Sequence, residues 1–238
     1  MSRVFVIPDV HLKPWMFEKA ARKVSSGKYD AVVMLGDLVD DWGKGKDLDL
    51  YNETFDAAMG FIKDFPDTFF CYGNHDVSYL WGAMETGYSF FAQGTVVERL
   101  EQLKEALPVE NTAFIHRIDD VLFSHAGLTR WFVEDHFDVL ENPSDDDIFY
   151  IINKVNLMGM DELWQDNSPI WARPQDGVTE LYPAGMLQVV GHTPVKMPLK
   201  QGDLLTVDVF STYRNGSPIG SETFVCVDTG THESYEII

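Results

Sequence analysis

Asp9 and His11 stand two positions apart in Asp-Val-His, just after an apolar run that ends at Pro8. Four more polar groups follow similar runs: Gly36-Asp37-Leu-Val-Asp40, Gly73-Asn74-His75-Asp76, Ser124-His125 and Gly191-His192. Together they offer carboxylates, an amide and imidazoles, with no sulfur. That donor set suits Mn²⁺, Fe or Zn²⁺ in five- or six-coordination and disfavours a closed structural zinc site. Each piece is weak alone. Gly-Asp and Gly-Asn after a strand are ordinary turn chemistry, and a lone strand-end histidine is usually just hydrogen-bonded. Gly-Asn-His-Asp is sharper, because chance produces it on the order of once in a thousand chains this long. The five groups in this order, each closing an apolar run, point to a metal site.

Positioning these groups takes strands. Val4–Pro8, Ala31–Leu35, Thr68–Tyr72, Val121–Phe123 and Leu187–Val190 are short apolar runs that read as buried strands. Trp15–Ser25, Asn52–Asp64 and Thr95–Leu107 between them read as helices. Thr95 and Glu98 have capping-box spacing, and Val97, Leu100, Leu103 and Leu107 line one face. The alternation predicts an α/β fold whose strand ends form a ligand crevice. Residues 129–170 read as an acidic, mostly helical insertion packed on the sheet, with Asn142-Pro-Ser-Asp-Asp-Asp at a helix start. From 187 onward, strands follow one another with a turn at Arg214-Asn-Gly-Ser-Pro, giving an antiparallel or mixed arrangement. No repeat or linker interrupts the chain, so one domain over residues 1–238 is expected.

Composition narrows the function classes. Eighteen basic against 38 acidic residues give a net charge of −20. Binding to nucleic acid or an anionic membrane needs a basic face, so neither partner is expected. Hydrophobic content of 45% and aromatic content of 13% exclude a disordered acidic tail. Cys71 and Cys226 sit in apolar runs and read as buried, inert thiols rather than a redox pair. No leader-like segment opens the chain and no run approaches the ~20 apolar residues of a membrane span, so a cytoplasmic protein is expected.

These motifs resemble the five of the calcineurin-like metallophosphoesterase superfamily. The likeness is greatest to its phosphoprotein phosphatase (PPP) branch, especially bacterial and bacteriophage members, and it runs from Val4 to about Gly230. It implies mixed β-sheets flanked by helices, with two divalent ions, manganese foremost and iron or zinc compatible. By the resemblance, Asp9, His11 and Asp37 hold the first ion. Asp37 bridges to the second, which Asn74, His125 and His192 complete. A metal-bound hydroxide would attack phosphorus. His75 would protonate the leaving oxygen, and Asp40 would keep His75 protonated. Asn74 and Arg173, the latter in Trp-x-Arg, would contact phosphate. The implied activity is a phosphomonoesterase acting on a phosphorylated small molecule or phosphoprotein. Dinucleoside polyphosphate hydrolysis and a non-catalytic binding scaffold are the alternatives, and the sequence leaves oligomeric state open.

The departures from the family pattern are specific. Pro194 stands where the wider superfamily has a second histidine after Gly-His, as in the PPP branch. Asp41 stands where PPP enzymes carry a phosphate-gripping arginine, and Pro8 and Leu12 replace flanking glycines. Lys13, Lys44 and Lys46 on the nearby loops read as solvated side chains. Trp15, Trp42, Tyr79, Trp81, Tyr88, Phe90 and Phe91 read as core and cap packing. Val225–Gly230 resembles the late strand of the PPP branch.

Overall fold

The computed structural model describes residues 1–237. In chain order the elements begin β1 (Arg3–Ile7), α1 (Trp15–Ser26), β2 (Ala31–Met34), α2 (Leu48–Asp64), β3 (Thr68–Cys71), α3 (Asn74–Trp81) and α4 (Gln93–Ala106). They continue with β4 (Thr112–Ala113), β5 (Ile115–Ile118), β6 (Val121–Ser124), α5 (Arg130–His136), α6 (Asp145–Val155) and α7 (Met160–Leu163). The chain ends with β7 (Leu187–Val190), β8 (Leu199–Gln201), β9 (Leu204–Thr206), β10 (Phe224–Asp228) and β11 (Glu233–Ile237).

The strands form two mixed sheets, ordered β11-β10-β1-β2-β3-β4 and β5-β6-β7-β9-β8. Side-chain alternation explains how they stack. In β1, Val4 and Val6 point to the second sheet, while Phe5 and Ile7 point to helices. In β2, Val33 faces the second sheet and Val32 and Met34 face helices. Phe123, Leu187, Val189 and Leu205 meet them from the other sheet. The outer face of the first sheet is covered by α1, α2 and α4, through Phe17, Phe55, Phe61 and Leu100. Over the second sheet lie α5, α6 and α7 of the expected insertion, through Phe132, Ile152 and Leu163. The result is an α/β sandwich of mixed sheets flanked by helices.

Helix starts differ from the spacing-based expectation. Helix α2 begins earlier, where Asp47 accepts the Leu50 N–H at 3.3 Å. Helix α4 begins at Gln93 on Ala92, so the Thr95–Glu98 capping box is not used. Ala92 is fully buried, and its N–H is taken by Ser89, which fixes the entry point by packing instead of a cap. Ser144 and Asp147 do form a capping box at the start of α6. Helix α3 was not read from the sequence. It starts directly at Asn74, which sets its first turn beside the end of β2.

One buried carboxylate joins these two places. Asp76 accepts the N–H groups of Asp37 at 2.8 Å, Leu38 at 2.9 Å and Gly73 at 3.0 Å. Replacing it leaves three buried donors without partners, each worth about 1–3 kcal/mol. Asp76→Ala should therefore lose at least about 3 kcal/mol in urea unfolding, and a loss below about 1 kcal/mol would contradict this role.

Candidate metal centre

The carboxyl ends of β1, β2, β3, β6 and β7 lie along one edge of the sandwich and deliver Asp9, Asp37, Asn74, His125 and His192. Backbone bonds bind these loops together. Val10 and His11 donate to the Asp37 carbonyl at 3.0 and 2.8 Å, and Gly191 donates to the His125 carbonyl at 2.9 Å. The His192 N–H donates to both Asp9 carboxylate oxygens, at 3.1 and 2.9 Å, and so ties one sheet to the other. Strain gathers here. His11, Leu12, Asp37, Asp40 and His192 have φ between 45° and 63°, a region that side chains other than glycine rarely adopt. Such outliers persist where the surroundings over-determine them, as at binding and catalytic sites. The motif glycines have steric reasons. Gly36 turns at φ 91° against the Gly73 backbone, and a Cβ on Gly191 would overlap the Asp9 carboxylate.

Among the described residues two groups of ligand-type atoms share Asp37, each with its atoms within 4.8 Å of one another: Asp37 with His125 and His192, and Asp37 with His11 and His75; Asp40, His75 and Glu85 make a third. Asp37 is common to both. Asn74 joins the first, its Oδ1 2.9 Å from His125 Nε2. Asp9 stands outside both groups, its carboxylate turned to the His192 amide. Backbone carbonyls set the ring orientations. His125 Nδ1–H donates to Leu35 at 2.8 Å and His11 Nδ1–H to Asp40 at 2.9 Å, which turns both Nε2 atoms inward.

The donor set fits a cation on the crowding at one atom. His125 Nε2 lies 3.2 Å from Asp37 Oδ2, 2.9 Å from Asn74 Oδ1 and 3.1 Å from His192 Nδ1. A single ring N–H cannot serve three acceptors, whereas a cation among them serves all four. Among the described residues, the buried His192 Nε2 has no hydrogen-bond partner.

Charge tells the same story. Burial, reinforced by the neighbouring charge of Asp208, pushes the Asp9 carboxyl well above its usual range. Burial opposes the charge on Asp37 too, but His125 and His75 hold that carboxyl well below the usual range. Burial likewise disfavours protonated His125, yet Asp37 outweighs it and raises the imidazole to about 9. His192 is held well below its usual value by burial and then by His125, so its ring is neutral and can ligate. So many desolvated carboxylates need cations.

Around these groups lies a cavity of about 590 Å³ that His11, Asp40, His75, Arg173 and Pro194 help to line. His75 Nδ1–H donates to Asp40 Oδ2 at 3.0 Å, and the His75 N–H to Asp37 Oδ1 at 2.9 Å. Tyr51 and Tyr79 donate to Asp40 Oδ1 at 2.7 and 2.5 Å. Arg173 Nη1 donates to Thr193 Oγ1 at 3.1 Å and the His192 carbonyl at 3.3 Å.

Several residues behave differently from the sequence reading. Lys13 is buried, its ammonium 3.1 Å from the His11 carbonyl and 3.9 Å from Asp41. Asp41 also accepts from Thr212 at 2.9 Å, so the departure at this position anchors two loops. Tyr79 is a hydrogen-bonding core residue, but Trp15, Trp42, Phe90 and Phe91 are exposed. Asp228 of Val225–Gly230 pairs in register with Arg3, at the far end of β1 from Asp9, and caps the following turn. The late strand end at the site is that of β9. Asp208 is buried there, pushed up to about 6 by burial against the hydrogen bonds from Ser211. The signal was present, because Leu204–Val207 is an apolar run closed by Asp208 like the others.

Comparison with known proteins defines the class as a metal-dependent phosphoric ester hydrolase. A model of the calcineurin-like phosphoesterases matches residues 2–230, and the chain belongs to that family. No curated protein matches the sequence significantly. Among solved structures, a cold-active protein-tyrosine phosphatase from a psychrophilic Shewanella superposes with TM-score 0.58 at 17% identity, over 100% of this chain and 81% of that one. A hypothetical protein from Pyrococcus horikoshii gives 0.51 at 13% identity, over 100% of this chain and 87% of that one. At such identity these two share the fold. Among the described residues, no helix is long and apolar enough to cross a membrane.

Gly191→Ala should push the Asp9 carboxylate aside and weaken cation binding. At Mn²⁺ a hundredfold above Kd the wild type gains about 2.7 kcal/mol. Thermal unfolding should show that gain largely lost in the variant, and an equal Mn²⁺-induced rise in Tm would contradict it.

Proposed function

We propose that this chain hydrolyses phosphomonoesters at a dinuclear centre, as one catalytic unit with manganese as its preferred metal. The observation that carries this reading is the Asp37 carboxylate in the cavity lining, common to a group with His125 and His192 and to one with His11 and His75, of which His75 takes the acid role because its Nδ1 is engaged by Asp40. Asp9, His11 and Asp37 would hold one ion, and Asp37, Asn74, His125 and His192 the other. Two divalent ions bound there would neutralise phosphoryl oxygens and lower the pKa of a water molecule.

The chain's own groups do the rest. Asn74 adds no negative charge that would repel phosphate. Arg173, on the cavity wall, offers a guanidinium fork to phosphoryl oxygens. His75 is held on the charged side by the carboxylates around it, burial notwithstanding, and can give a proton to the departing oxygen. Asp40, fixed by two tyrosines, orients that ring. A non-catalytic scaffold would be expected to have broken motifs, and each of the six ligand positions here carries a competent side chain. The test is a Mn²⁺-supplemented panel of p-nitrophenyl phosphate, bis-p-nitrophenyl phosphate, a phosphopeptide and a diadenosine polyphosphate. Turnover confined to the diester or the polyphosphate would overturn the monoesterase reading.

Two variants separate the roles. Asp37→Asn should abolish turnover, and near-normal activity would remove the dinuclear assignment. His75→Ala should keep its bound Mn²⁺ but lose about 10²–10⁴-fold in kcat on a poor leaving group. The loss should be smaller on p-nitrophenyl phosphate, and equal losses on both would take the acid role from His75.

A further inference from the structure

The ring of His75 meets a second carboxylate that the reading above does not use. Its Nδ1 lies 3.0 Å from Asp40 Oδ2 and 2.7 Å from Glu85 Oε1. The Glu85 side chain is 9% exposed, and its buried Oε1 lies against the His75 ring without a hydrogen bond among the described residues, the Nδ1–H being given to Asp40. The two carboxylates differ in what else they hold. Asp40 Oδ1 already accepts two phenolic O–H groups, from Tyr51 and Tyr79, which disperse its charge. Glu85 Oε1 has no such donor among the described residues; burial pushes its carboxyl up, and the neighbouring His75 opposes that.

The loop that carries Glu85 is built onto the same network. Helix α3 ends on Gly82 in the left-handed conformation, at φ 65°. Beyond Glu85 the chain is pinned at three points. Ser89 N–H donates to the Tyr79 hydroxyl at 2.8 Å, and Ser89 Oγ bonds the Gly45 carbonyl. Tyr88 stacks on Tyr79 with centroids 4.5 Å apart. Gly87, at φ 114°, runs so close that a Cβ would lie 3.2 Å from His75 Cε1. Tyr79 therefore orients Asp40 and also sets the path that brings Glu85 to the same ring nitrogen. With Nδ1–H given to Asp40 and Glu85 close beside it, Nε2 is left as the nitrogen for substrate in the cavity His75 lines.

We propose that Glu85 is a positioning residue that, with Asp40, clamps His75 for proton delivery to a strongly basic leaving oxygen, so that the substrates are aliphatic phosphomonoesters. This rests on the phosphomonoesterase reading and refines it. In the step, a water oxygen bonds to phosphorus, keeping one proton as P–OH while its other proton replaces the one His75 gives up, and the bond between phosphorus and the ester oxygen breaks. The electron pair leaves on the alkyl oxygen, which takes the proton from His75, and the products are an alcohol and inorganic phosphate. A phenolate leaves without much help, whereas an alkoxide depends on the proton. The leaving alkoxide could be a seryl or threonyl side chain or a small-molecule alcohol, which have the same chemistry.

The test uses the full chain loaded with Mn²⁺, as wild type, Glu85→Gln and Glu85→Asp. The substrates are a phosphoserine peptide, glycerol phosphate and p-nitrophenyl phosphate, of which the first two separate protein-borne from small-molecule alkoxides. Glu85→Gln should lower kcat on the aliphatic esters at least about 10-fold with little change in KM, and lower it several-fold less on p-nitrophenyl phosphate. Glu85→Asp, which keeps the charge, should recover part of the loss. Unfolding temperatures measured alongside show that the pinned loop is intact. Equal losses on aliphatic and aryl esters, or none on either, would overturn the role of Glu85. A wild type inactive on all three substrates would instead overturn the phosphomonoesterase reading itself.

Discussion

A carboxylate taken out of water must be compensated, and this edge of the sandwich buries many of them. Asp9, Asp37, Asp40, Asp76 and Asp208 are each at most 2% exposed. Asp76 is compensated by three backbone N–H groups and Asp40 by two tyrosines and an imidazole. Asp37 is left among three histidines, and Asp9 beside Asp208. Such an arrangement costs several kcal/mol per ion unless positive charge enters. Lys13 is buried against the first loop near Asp41, where burial works against its charge and Asp41 favours it. The remaining demand is met naturally by divalent cations, and the backbone strain at His11, Asp37 and His192 is consistent with a fold that gives up stability to hold their donors convergent.

The sandwich makes that convergence possible. Each strand contributes its side chains alternately to the inter-sheet core and to the helices, so the strands themselves have no freedom to shift register. Both sheets end along the same edge, and the His192 N–H reaches across to Asp9. The charged centre therefore inherits the rigidity of two apolar layers. Helix α3 adds a second support. Its first turn presents Asn74 and His75, and Asp76 in that same turn grips the end of β2.

Much of this was legible in the sequence, for a local reason. A buried strand is a short apolar run, and the residue that closes it is the one left at the crevice. Asp9, Asp37, Asn74, His125 and His192 all announce themselves in that way. What was not legible depends on tertiary placement. Glu85 belongs to no motif and reaches His75 through a loop whose path is set by Tyr79 and Gly45. Lys13 sits on a loop where lysines are usually solvated, and its burial follows from the turn at His11 and Leu12. Asp208 closes a run like the others, whereas Val225–Gly230, which resembles a late strand, has its Asp228 carried to the opposite edge by the antiparallel pairing of β10 with β1. The start of α4 moved because burial of Ala92 outweighed a capping pattern worth about 1 kcal/mol.

The central claim is that Asp37 is shared between two cation sites. Anomalous diffraction at the manganese edge, from crystals grown with Mn²⁺, tests it most directly. Two peaks about 3.5–4 Å apart, with the Asp37 carboxylate touching both, are the predicted result. A single peak, or peaks away from Asp37, would contradict it.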